Sequence, residues 1–276
     1  MKKMKKTIKQ VVVYGLLSLG AITMLLPFFW MISTAFKTGF ESLQTPVTWW
    51  PKHLVWENWV NAWYAAPFLR YLINSVIVAA VTTVGQIFTA ILAAFAFSKL
   101  NFAGKNLLFT ILLATMMVPV EMLIIPNFVT LSQFHLINTY GALILPWLGS
   151  FFAVFTLRQS FNTIPDQLYY AARIDGASDW QFLWSVLVPN AKSSITAIGL
   201  LQVIGSWNSF MWPLIVTNSE TMRTLPVGLQ AFSTDSGINY PELMAASTFV
   251  ILPMALLYIC FNKYVVAGIS NNGLKG

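Results

Sequence analysis

Long apolar stretches without charge alternate with short polar segments along the whole chain. A membrane-spanning helix needs about 20 successive apolar residues, because each residue advances only about 1.5 Å through the hydrocarbon core. Six stretches reach that length, and one of them, Asn106–Phe134, contains a single acid, Glu121. The pattern predicts six transmembrane helices at approximately residues 11–36, 71–98, 106–130, 136–157, 193–216 and 243–262.

This pattern predicts an all-α membrane protein that forms a single domain over residues 1–276. An outer loop is expected at residues 37–70, a polar loop at 161–190 and a tail at 263–276. The composition agrees, since 57% of the residues are hydrophobic and 9% are charged, whereas soluble domains are about a quarter charged. A soluble protein with so few charges would expose large apolar patches and aggregate.

The lysines and arginines predict how the helices are oriented. If the N-terminus lies inside, twelve of the 16 basic residues fall on the inner side, as the positive-inside rule requires. Both termini and the loop at 161–190 are therefore expected in the cytoplasm, and the chain is expected in the cell membrane. The net charge of +7 then indicates topology and contact with anionic lipid, and not nucleic-acid binding.

The polar loop at 161–190 contains the start and stop signals of two short helices. Pro165 suits the first position of a helix, and Gly176 can take the left-handed conformation that ends one. Ser178 to Gln181 has the form of a capping box that opens a second helix, which is expected to stop before Pro189. A structured cytoplasmic loop between two spans is typical of a docking surface.

Around that turn the chain resembles a known family. The residues Ala171-Ala172-Arg-Ile-Asp175-Gly176-Ala177 are similar to the "EAA" loop of permease subunits of binding-protein-dependent ABC importers. The remaining matches are Asn74-Ser75, the short inside turn Ala93–Lys105, Met117 to Pro119 with Ile125-Pro126, Trp207-Asn208, and the tail Gly268 to Gly276. Together they resemble the second permease of maltose-like, carbohydrate-uptake systems. The resemblance implies the fold of a type I ABC importer permease.

The resemblance also implies partners. They are a second homologous permease, a homodimeric cytoplasmic ABC ATPase and an extracytoplasmic solute-binding protein. It implies that the ATPase-coupling residues are Tyr170, Ala171, Ala172, Arg173, Asp175, Gly176 and Ala177. The family usually has a glutamate where Tyr170 stands, so a hydroxyl and a ring replace an ion-pairing carboxylate. Asp175 or Arg173 is left to carry the charge.

Four residues are candidates for the translocation path. Glu121 qualifies because an ionisable residue inside a span is a functional candidate. The alternative is that it reaches the outer interface, since it lies about 22 Å along a continuous helix from Asn106. Trp207, Asn208 and Trp212 fall in the fifth span, which the resemblance associates with the path. Asn208 can hydrogen-bond a sugar hydroxyl or tie two helices together.

The chain has no motif of its own for ATP hydrolysis. No Gly-x-x-x-x-Gly-Lys-Ser/Thr sequence occurs, so the chain is not expected to be an enzyme, and ATP and Mg²⁺ are expected in the partner ATPase. No cofactor is expected in this chain, nor a metal site, since no cluster has metal-ligand spacing.

The expected function is therefore ATP-driven uptake of a sugar or oligosaccharide. One alternative is a glycerol-phosphate importer permease, because such permeases look similar in this region. The other is a stand-alone ion-coupled transporter, in which only Glu121 is available to handle the coupling ion.

Overall fold

In the computed structural model, the backbone is described for residues 2–234 and 237–273, and the side chains for 9–233 and 237–260. The end of the expected tail, 274–276, lies outside the described residues. Within the described part, the expected all-α architecture is found, with one two-stranded hairpin of β1 Ser233–Thr234 and β2 Gly237–Ile238. The last helix runs to Gly273, so it includes most of the segment predicted to be a tail.

The helices follow one another with short connections. The α-helices are α1 Lys2–Ala35, α2 Gly39–Leu43, α3 Glu57–Tyr64, α4 Phe68–Lys99, α5 Lys105–Thr115, α6 Ile124–Gln133, α7 Tyr140–Ile144, α8 Phe151–Asn162, α9 Asp166–Ile174, α10 Asp179–Phe182, α11 Val188–Asn190, α12 Lys192–Trp207, α13 Met211–Val216, α14 Leu225–Gly228 and α15 Tyr240–Gly273. Four 3₁₀ turns, Val120–Leu123, Leu145–Trp147, Glu220–Met222 and Leu229–Phe232, and a π-helix, Leu183–Leu187, complete the described elements.

Three helices are long and apolar enough to cross a membrane unbroken: Lys9–Ala35, Phe68–Lys99 and Tyr240–Cys260. Three further pairs of helices pass the same test together but are bent at a short break, which gives up to six candidate spans in the described residues. The number of candidate spans agrees with the sequence, but the bent pair nearest the predicted fifth span joins Asp179–Asn190 of the polar loop to Lys192–Trp207. Continuous helices are not found at all six predicted positions. The membrane boundaries themselves stay predictions.

The third predicted span is the most strongly broken. Helix α5 ends at Thr115, and the chain resumes at Val120 after turning by 93°. Pro119 lies at the break with an extended ψ of 134°, and it has no N–H with which to continue the ladder of α5. Pro126 is tolerated in the first turn of α6, where an N–H has no partner anyway.

The fourth and fifth predicted spans are also interrupted. Residues 140–147 and 151–162 meet at 44°, next to Pro146 in the 3₁₀ turn. The predicted fifth span, 193–216, covers α12 and α13, which are separated at Asn208 to Phe210 and do not form one of the three bent pairs. With 16 residues, α12 is only about 24 Å long, shorter than the hydrocarbon core of about 30 Å.

The chain divides into two compact units, 1–68 with 229–253, and 69–228 with 254–276. In the first unit, the segment predicted as the outer loop is attached to the end of α1 by side-chain bonds. Asn58 Nδ2 donates to the carbonyls of Ala35 and Lys37 at 2.9 and 2.8 Å. Lys37 is fully buried, and its ammonium lies 3.9 Å from the Trp30 ring centroid. Burial lowers the pKa of Lys37, an effect that the nearby Glu41 opposes.

In the second unit, α4 is the central support. Its side chains bond to backbone groups in the irregular segments packed around it. Asn74 Nδ2 donates to the carbonyls of Thr221 and Arg223 at 2.9 and 2.8 Å. Ser75 Oγ accepts from Leu225 N at 2.8 Å.

Further along α4, two side chains bond at the break in the fourth span. Gln86 Nε2 donates to Trp147 O at 3.1 Å, and Thr89 Oγ1 to Leu148 O at 2.6 Å. Carbonyls freed by a broken helix have no water to bond within a membrane, so these side chains satisfy them. The helix thereby fixes the position of the residues that form the candidate site.

Candidate functional site

The turn of the polar loop is a Schellman motif centred on Gly176. This glycine has φ of +83°, in the left-handed region that glycine adopts without steric cost. Its N–H donates to Arg173 O at 3.2 Å, and the N–H of Ala177 donates to Ala172 O at 2.9 Å. These two bonds define the motif, and the prediction that Gly176 ends the first helix is confirmed.

The second helix of the loop opens on the expected capping box. Ser178 Oγ accepts from Gln181 N at 3.2 Å, and Gln181 Oε1 accepts from Ser178 N at 2.8 Å. At the entrance of the loop, the first helix begins at Asp166, one residue later than predicted. The reason is that Pro165 has an extended ψ of 138° and occupies the N-cap position.

The expectation that the second helix stops before Pro189 is wrong. The helix continues through Leu183–Leu187 as a π-helix and ends at Asn190. Val188 N donates to Leu183 O, five residues back, as in a π-helix. Because Pro189 has no N–H, the wider turn changes which carbonyl is left without a backbone donor at this position. Asn190 Nδ2 also donates to Val186 O at 2.7 Å. The chain then turns by 78° into α12.

The two short helices are joined by Asp179. Its Oδ1 accepts from Tyr169 Oη at 2.8 Å and lies 3.3 Å from Arg173 Nη1. Burial, and then the hydrogen bond to Asp179, raise the pKa of Tyr169 above its usual 10.0, so the phenol is protonated and donates at neutral pH. Its ring packs edge-on against Phe182 at 5.1 Å. Arg173, predicted to face the ATPase, is thus paired inside the loop.

The outward face of α9 is largely apolar, with Gln167 as a polar residue in its first turn. Tyr170, Ala171 and Ile174 are exposed, with exposed fractions of 59% for Tyr170 and 87% for Ile174. Their spacing of one, three and four places them on one face of the helix. Ala172, predicted as an ATPase-coupling residue, instead packs inward against the hydrophobic core. Asp175 is the exposed C-cap residue of α9.

A buried lysine attaches the loop to α4. Lys99 Nζ lies 2.6 Å from Asp166 Oδ1 and donates to Ile164 O at 2.7 Å. The Lys99 side chain is 2% exposed, whereas that of Asp166 is 67% exposed. This pair was not predicted from the sequence. The signal available was a lysine at the end of a long uncharged helix and an acid at the start of the loop.

Two neighbouring cavities form the second candidate site. Their volumes are about 290 and 570 Å³. They share Val120, Trp147, Ser209 and Trp212 as lining residues. Trp147 and Trp212 pack edge-to-face with ring centroids 5.9 Å apart, and Trp212 Nε1 donates to Ala142 O at 3.0 Å. The two indoles are therefore held in fixed positions at the wall of both cavities.

Hydroxyl and amide groups line the smaller cavity beside the indoles. Its polar lining residues are Thr82, Gln202, Ser206 and Ser209. Gln202, Ser206 and Ser209 are spaced by four and three residues and so follow one side of α12 and its end. These residues were not among the predicted path residues, although a polar stripe in an uncharged span is a signal that the sequence contains.

The structure brings together two of the four predicted path residues. Glu121 and Trp212 both line the larger cavity, whereas Trp207 and Asn208 line neither. Trp207 is buried in the protein, and Asn208 is the exposed C-cap residue of α12. The depth estimated for Glu121 is wrong, because it assumed a continuous helix where the chain turns by 93°.

Comparison with known proteins identifies the family. Residues 86–270 match the model of the binding-protein-dependent transport system inner membrane component. The chain belongs to this family. The predicted fold is confirmed by a solved bacterial ABC transporter involved in import of the acidic polysaccharide alginate. That structure superimposes with a TM-score of 0.81 at 24% identity, covering 94% of this chain and 96% of the other.

Two curated members of the family illustrate its range. An arabinooligosaccharide transport system permease of Bacillus subtilis is 34% identical over 82% of this chain and 81% of its own length. A glycerol-3-phosphate transport system permease of Yersinia pestis is 31% identical over 92% of this chain and 93% of its own length. The chain is therefore an importer permease, an inner membrane component of a binding-protein-dependent transport system.

The Lys99–Asp166 pair predicts an asymmetry between two substitutions. Asp166→Ala leaves a buried ammonium with one carbonyl partner, and we expect it to lower the free energy of unfolding by about 1–3 kcal/mol. Lys99→Met leaves an exposed carboxylate that water solvates, so its cost is expected to be smaller. Thermal unfolding of the purified variants in detergent measures the difference. A larger loss for Lys99→Met than for Asp166→Ala would contradict this account.

Proposed function

We propose that the chain is the permease subunit of an ATP-driven ABC importer for a sugar or oligosaccharide. It pairs with a second homologous permease and receives substrate from an extracytoplasmic solute-binding protein. ATP and Mg²⁺ are bound by a homodimeric cytoplasmic ATPase, and this chain needs no cofactor. Family membership supports this scheme, and the observation that carries the coupling step is the exposed apolar face of α9 on an internally bonded loop.

The loop is bonded internally and attached to α4, so a partner that displaces it can move it as one unit. Its turn, its capping box and the Tyr169–Asp179 bond hold the two short helices together. Lys99 attaches it to α4, so displacement of the loop is transmitted to the helix that supports the cavities. Alternating access follows if closure of the ATPases shifts this support.

The contact with the ATPase is proposed to be apolar where relatives of this kind usually have a glutamate. Tyr170 and Ile174 project from α9, and the nearest cation of the loop, Arg173, is paired with Asp179. A desolvated ring and an aliphatic side chain favour a hydrophobic cleft with a hydrogen-bond acceptor for the phenol. The ATPase therefore does not need a basic residue opposite position 170.

The cavities favour a neutral sugar over an anion. Indole faces, hydroxyls and an amide are the groups that pack against and hydrogen-bond sugar rings, and all are present in the lining. The only charged residue lining either cavity is Glu121, which repels a phosphate. The glycerol-phosphate alternative remains represented among the relatives, but the cavity does not favour it.

The orientation is proposed from the distribution of basic residues. Twelve of the 16 lysines and arginines lie inside when both termini and the coupling loop are cytoplasmic. The expected outer side then contains the loop at 37–70.

Substitutions at Tyr170 test the coupling proposal. We expect Tyr170→Ala to lower ATP-driven uptake at least roughly fivefold, since truncation of a tyrosine at the centre of an interface costs about 1 kcal/mol or more, and Tyr170→Phe to keep most of it. Uptake and ATP hydrolysis are measured in proteoliposomes that contain all four components. Phe40→Ala, at an 82% exposed ring in the expected outer loop, is the matched control. Unchanged uptake with Tyr170→Ala would contradict the proposal.

A second test uses two glycines with similar backbone geometry. Gly176 and Gly104 have φ of +83° and +78°, and at both positions a Cβ atom would meet no other atom within 4 Å. Proline cannot adopt a positive φ, so both substitutions distort a turn. Gly176→Pro is expected to raise the ATP hydrolysed per sugar transported, whereas Gly104→Pro leaves that ratio unchanged. Equal ratios in the two variants would count against coupling through the loop.

Glu121→Gln tests the assignment of the cavity. The carboxylate makes stronger hydrogen bonds to sugar hydroxyls than an amide does, so we expect the KM for uptake to rise roughly 3- to 10-fold. Glu220→Gln, an exposed acid that lines neither cavity, serves as the control. If Glu121→Gln transports with the wild-type KM and substrate preference, the residue only reaches the outer interface.

A further inference from the structure

A third cavity lies at the opposite end of α4, away from the Trp147–Trp212 pair. It has a volume of about 500 Å³ and is bordered by the end of α4, the start of α5 and Arg158 of α8. Its polar lining residues are Ser98, Asn101, Lys105, Asn106 and Arg158. The proposed coupling and transport steps use none of these side chains.

The two cations of this cavity are fixed by the carbonyls that end α4. Lys105 Nζ donates to Leu100 O at 2.8 Å and to Ser98 O at 3.4 Å. Arg158 Nε donates to Phe97 O at 2.9 Å, and its guanidinium lies 3.9 Å from the centroid of the Phe109 ring. Both head groups are therefore held in place before any ligand arrives.

Both cations keep donors for a ligand. The Lys105 ammonium has three N–H donors, of which two are used. Within the described part of the chain, no hydrogen bond is found for the two terminal nitrogens of Arg158. A guanidinium with two free nitrogens matches the oxygens of a phosphate.

The cavity has no carboxylate to neutralise these charges. None of its lining residues is an acid. Asp166, whose charge influences Lys105, is 2.6 Å from Lys99 in its own ion pair. Two cations without a paired acid favour an anion at this position.

An apolar surface leads away from the cavity along α5. Leu107, which lines the cavity, is 65% exposed, and Leu108 and Ile111 are 48% and 52% exposed. A soluble phosphate has no use for such a surface, whereas an acyl chain packs against it. The cavity also lies at the end of the spans that the basic residues place on the cytoplasmic side, where the leaflet is anionic.

We propose that Lys105 and Arg158 bind the phosphate headgroup of an anionic phospholipid, whose acyl chain lies along Leu107, Leu108 and Ile111. The remaining donors of the ammonium and the guanidinium bind the phosphate oxygens, and Asn101 and Asn106 border the headgroup. The site does not depend on the identity of the transported substrate.

Native mass spectrometry of the full chain tests this site with phosphatidylglycerol and phosphatidylcholine as probes. We expect phosphatidylglycerol to be retained preferentially. Lys105→Gln and Arg158→Gln should each weaken its retention roughly fivefold, as expected for one charge near a membrane surface. Lys192→Gln, which removes an exposed lysine outside the cavity, should retain the lipid like the wild type.

Two further arms make the result unambiguous. Lys105→Arg and Arg158→Lys keep the charge and should restore retention, which separates loss of binding from loss of folding. Inorganic phosphate is added alone as a competitor. Equal retention of both lipids, or the same retention in Lys105→Gln and Lys192→Gln, would overturn the proposal. Binding of phosphate without any preference between the lipids would overturn it too and assign the cavity to a soluble anion.

Discussion

The second unit depends on one constraint, which is that every backbone group freed by a broken helix must find a partner inside the protein. Three candidate spans are broken in the described residues, and α4 supplies side chains to the irregular segments beside it. Asn74, Ser75, Gln86 and Thr89 do so along its length. Lys99 does so at its end by bonding to Ile164 O. A largely apolar helix thus fixes the position of both the cavities and the polar loop at 161–190.

The same constraint explains why the two candidate sites share a support. The carbonyls of Trp147 and Leu148 are bonded by α4, and this fixes the break beside the indole that lines both cavities. The polar loop is bonded to the last turn of the same helix through Lys99 and Asp166. A displacement of the loop therefore acts on a helix that also lines the smaller candidate cavity with Val78 and Thr82. This arrangement gives the proposed coupling a direct structural route.

Much of this organisation was accessible from the sequence, and the reasons for the exceptions are physical. Uncharged runs located the candidate spans. The residue types at Gly176, Ser178 and Gln181 predicted the caps of the two short loop helices, because such caps depend on local geometry alone. The 93° turn after Thr115 was not predicted, because a proline can either end a helix or be tolerated in its first turn. Which of the two occurs at Pro119 and at Pro126 depends on tertiary contacts. The inward position of Ala172 and the pairing of Lys99 with Asp166 also need the packed structure.

The central claim is that the outward face of α9 docks on a separate ATPase. The most direct measurement is cross-linking from Ile174→Cys, with the exposed native Cys260 replaced by serine, in the assembled transporter. A photoreactive maleimide at position 174 is predicted to form an adduct with the ATPase, whereas the same probe at Phe40→Cys is not. An ATPase adduct absent at position 174, or equally abundant at position 40, would contradict the account.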